Sequence, residues 1–265
     1  MLPAMPDSAQ EVAARIIAAL PCSIELPAGA GKTELIAIVA ARQADAGKRC
    51  LLLTHTHAGV DALRRRLRLH DVPQRAATVH TIDGWCFDLV RHFPLLSALN
   101  APADPDWSRS AEYHEAAMRA VRSPAIQRML RVSYEMVVVD EYQDCVAGQR
   151  ALVTALTAAL PTIVLGDRLQ GLFSFSSEPP VSWAPEVVTT FPPHTVDVVP
   201  WRWRETNAAL GAWLLSIREP LMHGEPISLV DAPVHWRSSD DGAATRTVCM
   251  ERANPDRAVS TAPPG

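Results

Sequence analysis

No C-x-x-C pair occurs in the 265 residues, and the five cysteines, Cys22, Cys50, Cys86, Cys145 and Cys249, are widely spaced and odd in number. This argues against a disulfide framework and predicts reduced thiols in an intracellular protein. No apolar run approaches membrane length. The N-terminal one is interrupted by Asp7, Gln10, Glu11 and Arg15, which excludes a signal peptide and a spanning helix. The expectation is a soluble, cytoplasmic protein. Nor is there an excess of positive charge: 25 Lys and Arg against 29 Asp and Glu leave a net charge of −4. Without a global basic field, contact with nucleic acid has to come from local patches and aromatic stacking. What remains is ordinary globular composition, 48% hydrophobic and 20% charged, in a chain long enough for one large or two small domains.

Residues 22–37, CSIELPAGAGKTELIA, organise the rest. A short apolar run leads into Pro27, Ala28, Gly29, Ala30, Gly31, Lys32 and Thr33, and a stretch rich in helix formers follows. Strand, glycine loop and helix in that order make a phosphate cradle: the glycines let backbone N–H groups approach an anion, and the helix N-terminus adds partial positive charge. Lys32 would reach the β- and γ-phosphates of a nucleotide, and the Thr33 hydroxyl would ligate Mg²⁺. The strict motif has glycine where this chain has Leu26.

Around that loop the chain alternates strand and helix. Residues 7–20 have apolar positions at helical spacing. Residues 34–46 read as a helix ended by Gly47, and residues 49–54 (RCLLLT) as a buried strand. A polar turn and a helix follow, with Arg64, Arg65, Arg66 and Arg68 forming the densest positive charge in the chain. That cluster reads equally as a solvated face or as a phosphate contact. His55 and His57 alternate as metal ligands on a strand would, but no cysteine or carboxylate cluster accompanies them. Residues 76–82 are a strand, residues 83–92 a helix, and 93–131 a proline-punctuated helical insertion.

The second informative stretch is EMVVVDEYQDC, residues 135–145. Its apolar strand delivers Asp140 and Glu141 to the end where a parallel sheet presents ligands, so one carboxylate can hold Mg²⁺ while its neighbour orients water. A helix is expected over 147–160, a strand over 162–165 followed by Gly166, Asp167 and Gln170, a strand over 196–199, and a turn and helix over 201–215. Beyond Asp231 the chain loses periodicity and is expected to be disordered. The fold class is α/β, a P-loop NTPase (RecA-like) parallel sheet flanked by helices, with a small helical insertion.

These motifs, in this order from Gln10 to Trp213, resemble those of the UvrD/Rep-like superfamily 1 DNA helicases. VVVDEYQD is close to that family's D-E-x-Q-D signature, PAGAGKT to its glycine loop, and LLLTHTHAGVDALRRRL and TVHTI to its two DNA-contact motifs. The resemblance implies that ATP and Mg²⁺ are the cofactors and that single-stranded or partly duplex DNA is a partner. By it Gln10 reads adenine, Asp140 ligates Mg²⁺, Glu141 is the general base, and Gln143 and Asp144 couple the ATP site to DNA. LGDRLQGLF is similar to the motif whose glutamine, here Gln170, senses the γ-phosphate, with Phe173 and Phe175 in base-stacking positions. Trp203 and Arg204 match a tyrosine-arginine pair, and Arg204 would reach the γ-phosphate as a finger in cis. DNA would be gripped through Thr54, His55, Thr56, His57, Thr78, His80 and Thr81, with His55 replacing the family's phenylalanine.

On this likeness residues 1–92 and 132–200 form the motor domain, 201–230 begin a second one, and 231–265 are the tail. Two motifs of the family's second motor domain have no counterpart before Gly265. This leaves three readings: a DNA-dependent ATPase that translocates or unwinds DNA, an ATP- and DNA-binding lobe completed by a partner chain, and an inactive shortened helicase.

Overall fold

Five strands pair in parallel because each of the first four is followed by helix that carries the chain back across the sheet. In this computed structural model, residues 9–171 and 183–234 are described. The strands are β1 (Cys22–Glu25), β2 (Cys50–Thr54), β3 (Ala77–Thr81), β4 (Met136–Val139) and β5 (Thr162–Gly166), in the order β1-β5-β4-β2-β3. Register is continuous across the sheet: Ile24 faces Leu165, Val164 faces Val139, and Leu53 faces both Val139 and His80. One strand, β5, therefore separates the strand that feeds the glycine loop from the strand that ends at Asp140.

The helices that position the site are α1 (Ala9–Ala18), α2 (Lys32–Asp45), α3 (His57–Leu69), α4 (Ile82–His92), α5 (Pro94–Ser97), α6 (Ser110–Arg122), α7 (Pro124–Ser133) and α8 (Ala147–Leu156). Strand residues alternate between two cores. Leu51, Leu53, Val137 and Val139 pack with α4, α6 and α8, while Cys50, Leu52, Met136 and Val138 pack with α1, α2 and α3. Burial on both faces explains why β2 and β4 are apolar at every core position rather than alternating. Each fully buried Leu or Val contributes on the order of 1.5–3 kcal/mol.

Within the 93–131 stretch, α6 is an integral part of one layer. Tyr113, Ala116, Ala117, Ala120 and Val121 are fully buried against α4 and α8, and the small alanines allow close helix approach. Thr56 and Thr81 cap α3 and α4, their side-chain oxygens accepting from the amides of Gly59 and Gly84 at 3.0 Å.

Two expectations are corrected. No strand forms over 196–199 among the described residues. Instead Pro193 makes a single parallel bridge to Ser23, with Ser23 N donating to Pro192 O at 2.9 Å and His194 N to Ser23 O at 2.8 Å. Pro192, Pro193 and Pro200 lack the N–H a longer ladder needs. The helix expected over 147–160 ends at Leu156 and closes in turns before Pro161, because the residue before a proline avoids helical geometry.

The chain divides into two compact units, Met1–Thr206 and Asn207–Gly265. The second contains helices Ala208–Ser216, capped by the Asn207 side chain, and Arg218–His223, ended by Gly224 in left-handed geometry. The expected tail lies almost wholly outside the described residues.

Candidate nucleotide site

The loops after β1, β2, β4 and β5 meet at one edge of the sheet, the C-terminal edge where open α/β folds place ligands. After β1 the chain turns through Gly29 (φ 73°) and Gly31 (φ 91°), conformations that disfavour any residue with a β-carbon. Ala30 N donates to Pro27 O at 3.1 Å, closing the turn. Helix α2 then starts at Lys32 with no side-chain cap on its first amides, and these free donors suit an anion.

Lys32 is only 7% exposed, and its Nζ donates to Leu26 O at 3.3 Å and lies 3.5 Å from Glu141 Oε2. The glycine loop and the acidic strand end are thus brought together. Asp140, 6% exposed, receives the Glu141 amide at 3.0 Å. Burial, reinforced by the Glu141 charge and opposed by Lys32 and that amide, pushes its carboxyl up to about 7. Asp144 is pushed up to about 6, by burial first and then by Glu141. Its Oδ1 is buried without a hydrogen-bond partner among the described residues.

These stripped carboxylates fit a hard divalent cation. No group of three or more His, Cys, Asp or Glu among the described residues could hold a metal by itself. A cation at Asp140 and Thr33 would need further ligands from nucleotide phosphates, which is the usual way Mg²⁺ is held. Among the described residues no such group includes His55 or His57.

Glu141 itself sits at φ 52°, left-handed geometry that costs about 1–3 kcal/mol at a non-glycine residue and recurs at functional sites. Gln143 holds it there, its Nε2 donating to Glu141 Oε2 at 3.0 Å and to Asp144 Oδ2 at 3.2 Å. The same amide's Oε1 accepts from Asp167 N at 3.0 Å, and Asp167 Oδ2 accepts from Gln170 Nε2 at 2.8 Å. A continuous hydrogen-bonded path therefore runs from Glu141 to Gln170. The Glu25 carboxylate, paired with the Arg168 guanidinium through contacts of 2.6–3.0 Å, braces the same loop.

The family model for the AAA domain matches residues 10–176, more than half of the chain. The chain belongs to the AAA domain family. Its sheet and glycine loop are accordingly those of a P-loop NTPase, a nucleotide-binding fold of the ATPase class that generally takes ATP with Mg²⁺. No curated protein matches the sequence. No helix of this AAA domain's described residues is long and apolar enough to cross a membrane.

The structure separates the remaining nominated residues of the AAA domain. Gln10 Oε1 accepts from Arg42 Nη1 at 3.2 Å, about 15 Å along α2 from Lys32 at 1.5 Å per residue. Thr54 is buried at the end of β2 opposite Thr81. Thr56 and Thr81 serve as helix caps, His57 opens α3, and Thr78 and His80 lie on β3, an outer strand of the sheet. His55 Nε2 is 3.3 Å from Cys145 Sγ, and burial lowers its pKa below the ordinary value despite nearby Asp83 and Glu141. Phe173 and Phe175 lie outside the described residues.

The arginine cluster divides. Arg66 pairs with Glu34 at 3.0 Å and Arg64 donates to Val79 O at 3.1 Å. Arg65 and Arg68 have no ion pair among the described residues. Arg64, Arg68, Thr78 and His80 line a cavity of about 330 Å³ between α3 and β3.

Sequence reasoning missed two features. Asp83 Oδ1 accepts from Gln149 Nε2 at 2.7 Å and contacts His114 Nε2 at 2.6 Å, joining α4, α6 and α8 behind the acidic loop. No local pattern announces such a link. The turn Trp201–Arg204 sits on the glycine loop, but through Trp201 and Arg202: Arg202 N donates to Gly29 O at 3.1 Å, while Arg204 stacks on Trp201, 5.2 Å from the ring centroid. The sequence had nominated Trp203 and Arg204.

Proposed function

We propose that this chain is the nucleotide-binding lobe of a DNA helicase-type ATPase, one that binds ATP with Mg²⁺ and single-stranded DNA and couples hydrolysis to movement along DNA. The observation that carries the reading is the path from Glu141 through Gln143 and Asp167 to Gln170, with Lys32 at its head. A plain phosphate-binding loop needs the lysine. It has no need of a hydrogen-bonded route from its acidic strand end to the next loop.

In this reading Pro27 to Thr33 wrap the phosphates and Lys32 neutralises them, while Gln10 would have to leave its contact with Arg42 to reach the base. Bound Mg²⁺-ATP would supply the scissile anhydride bond, and Thr33 and Asp140 are the residues that would hold its cation. Glu141 takes the proton of the attacking water, held in position by Gln143. Gln170 transmits the state of the phosphates to DNA gripped through His55 to His57, Thr78, His80, Thr81, Phe173 and Phe175, with buried Thr54 supporting the loop from the end of β2. Stacking on aromatic side chains is sequence-tolerant, worth about 1–3 kcal/mol per base, and suits a motor that must grip any strand. A second motor lobe would complete translocation, which requires two bodies that change their relative position.

ATP hydrolysis by the purified chain with and without single-stranded DNA tests the reading. DNA-stimulated turnover lost in Lys32→Ala and Glu141→Gln supports it. Wild-type protein that binds no Mg²⁺-nucleotide overturns it.

A further inference from the structure

Strands β2 and β4 are neighbours, so the loops that follow them leave the sheet side by side, with Asp140 N donating to Leu53 O at 2.8 Å. They meet again a few residues on. His55 Nε2 lies 3.3 Å from Cys145 Sγ, joining the loop nominated for DNA to the far end of the acidic loop. Cys145 is buried, whereas Thr56 and His57, next to His55, are exposed. The contact thus runs from a surface loop into the interior.

Cys145 is firmly connected to Glu141. Glu141 O accepts from Asp144 N at 3.0 Å and Tyr142 O from Cys145 N at 3.1 Å, closing one turn between them. Arg150 Nη1 donates to Cys145 O at 2.8 Å. A displacement of the thiol is therefore passed to Glu141 through a short stretch of fixed backbone. The end of β3 is tied to the next residue: Gln149 Oε1 accepts from Val146 N at 3.1 Å, and its Nε2 donates to Asp83 in the first turn of α4. Both segments that carry nominated DNA contacts are thereby bonded to consecutive residues at the end of the acidic loop.

Burial raises the Cys145 thiol well above its ordinary pKa and lowers His55 below its own. Both are neutral near pH 7, so the contact is a hydrogen bond between groups that can each donate or accept, and the thiol is no nucleophile. A phenylalanine, which the resembled helicases have in place of His55, could not make this bond.

We propose that the His55–Cys145 contact is a relay by which strand binding at the loop after β2 reaches Glu141, both side chains acting as positioning residues. Resting on the ATP and DNA reading above, this route is distinct from the one through Gln143 and Gln170. Single-stranded DNA and nucleotide then change each other's affinity, and one side-chain bond carries part of that coupling.

Calorimetry on the full chain with a Mg²⁺-bound non-hydrolysable ATP analogue, alone and with oligo-dT at a concentration saturating for each variant, reads the coupling as a ratio of dissociation constants. In wild type oligo-dT should shift analogue affinity by about fivefold or more, the scale of coupled sites. Cys145→Ala should reduce that shift by about two- to tenfold, the scale of one hydrogen bond, with DNA-free affinity held within about twofold. His55→Phe should reduce it as much, and the double variant no further. Cys145→Ser should recover the shift, because a hydroxyl still donates and accepts, whereas in a packing role the buried hydroxyl would do no better than alanine. An undiminished shift in Cys145→Ala, a serine variant no better than alanine, or an equal loss of DNA-free affinity overturns the relay while the nucleotide site stands. Wild type whose analogue affinity is unmoved by oligo-dT overturns the DNA-coupled reading itself, and the relay with it.

Discussion

Lys32 Nζ lies 3.5 Å from Glu141 Oε2, so the ammonium of the glycine loop and the carboxylate of the acidic strand end face each other across the site. With Lys32 buried, this pairing and the Leu26 carbonyl are its chief local compensation. Lys32→Ala should lower Mg²⁺-nucleotide affinity by more than about tenfold, the scale of a lost charge-assisted contact. Titration calorimetry reads this directly. Unchanged affinity would remove Lys32 from the site.

Glu141→Gln keeps the shape and the Gln143 contact region but loses the ability to accept a proton. Turnover should fall by about 10²–10⁴-fold, the usual contribution of a general base, while nucleotide affinity stays close to wild type. Steady-state ATPase rates beside binding isotherms separate the two. Equal losses in both would give Glu141 a binding role only.

Gln143 satisfies the buried amide of Asp167 and holds Glu141 at once. Gln143→Ala should cost about 1–3 kcal/mol by removing the side-chain oxygen that accepts from that amide, read as a lower denaturation midpoint. Gly166→Ala should act on the same contact from the other side, because its β-carbon would fall 2.5 Å from Gln143 Oε1. Both variants should lose turnover more than nucleotide affinity.

Asp83 tests the link among α4, α6 and α8. Burial raises its pKa, but the hydrogen bonds from His114 and Gln149 and the charges of His114 and His55 outweigh it, so the carboxyl ends below its ordinary value. A depressed carboxylate stabilises the fold at pH values above its unfolded pKa, and that stability is lost as pH falls through the folded one. Asp83→Asn should therefore cost about 1–3 kcal/mol near pH 7. The gap from wild type should close as pH falls below about 4. Chemical denaturation of both proteins across that range would show a gap that stays constant if the charge plays no part.

Much of the fold was legible in particular residues. The apolar runs at Cys50–Thr54 and Met136–Val139 could be buried only between two helical layers. Likewise, two glycines before a lysine at a helix start have few uses other than cradling an anion. The segment over 196–199 was misread because β-branched residues there look like a strand, whereas the flanking prolines allow only one bridge to Ser23. The link from His114 to Asp83 spans elements far apart in the chain, and no spacing rule reaches across such a distance.

The amino-acid sequence by itself determined the elements, the parallel α/β class and the chemistry of the glycine loop and acidic strand end, because propensity, periodicity and motif spacing act over a few residues. Only the tertiary structure decided which side chains meet: Lys32 with Glu141, Gln143 with Asp167, and Arg202 rather than Arg204 with Gly29. Those contacts depend on strand order and on the path of the returning chain beside β1. Two arginines of the same type, two residues apart, differ only in the direction in which one turn points them.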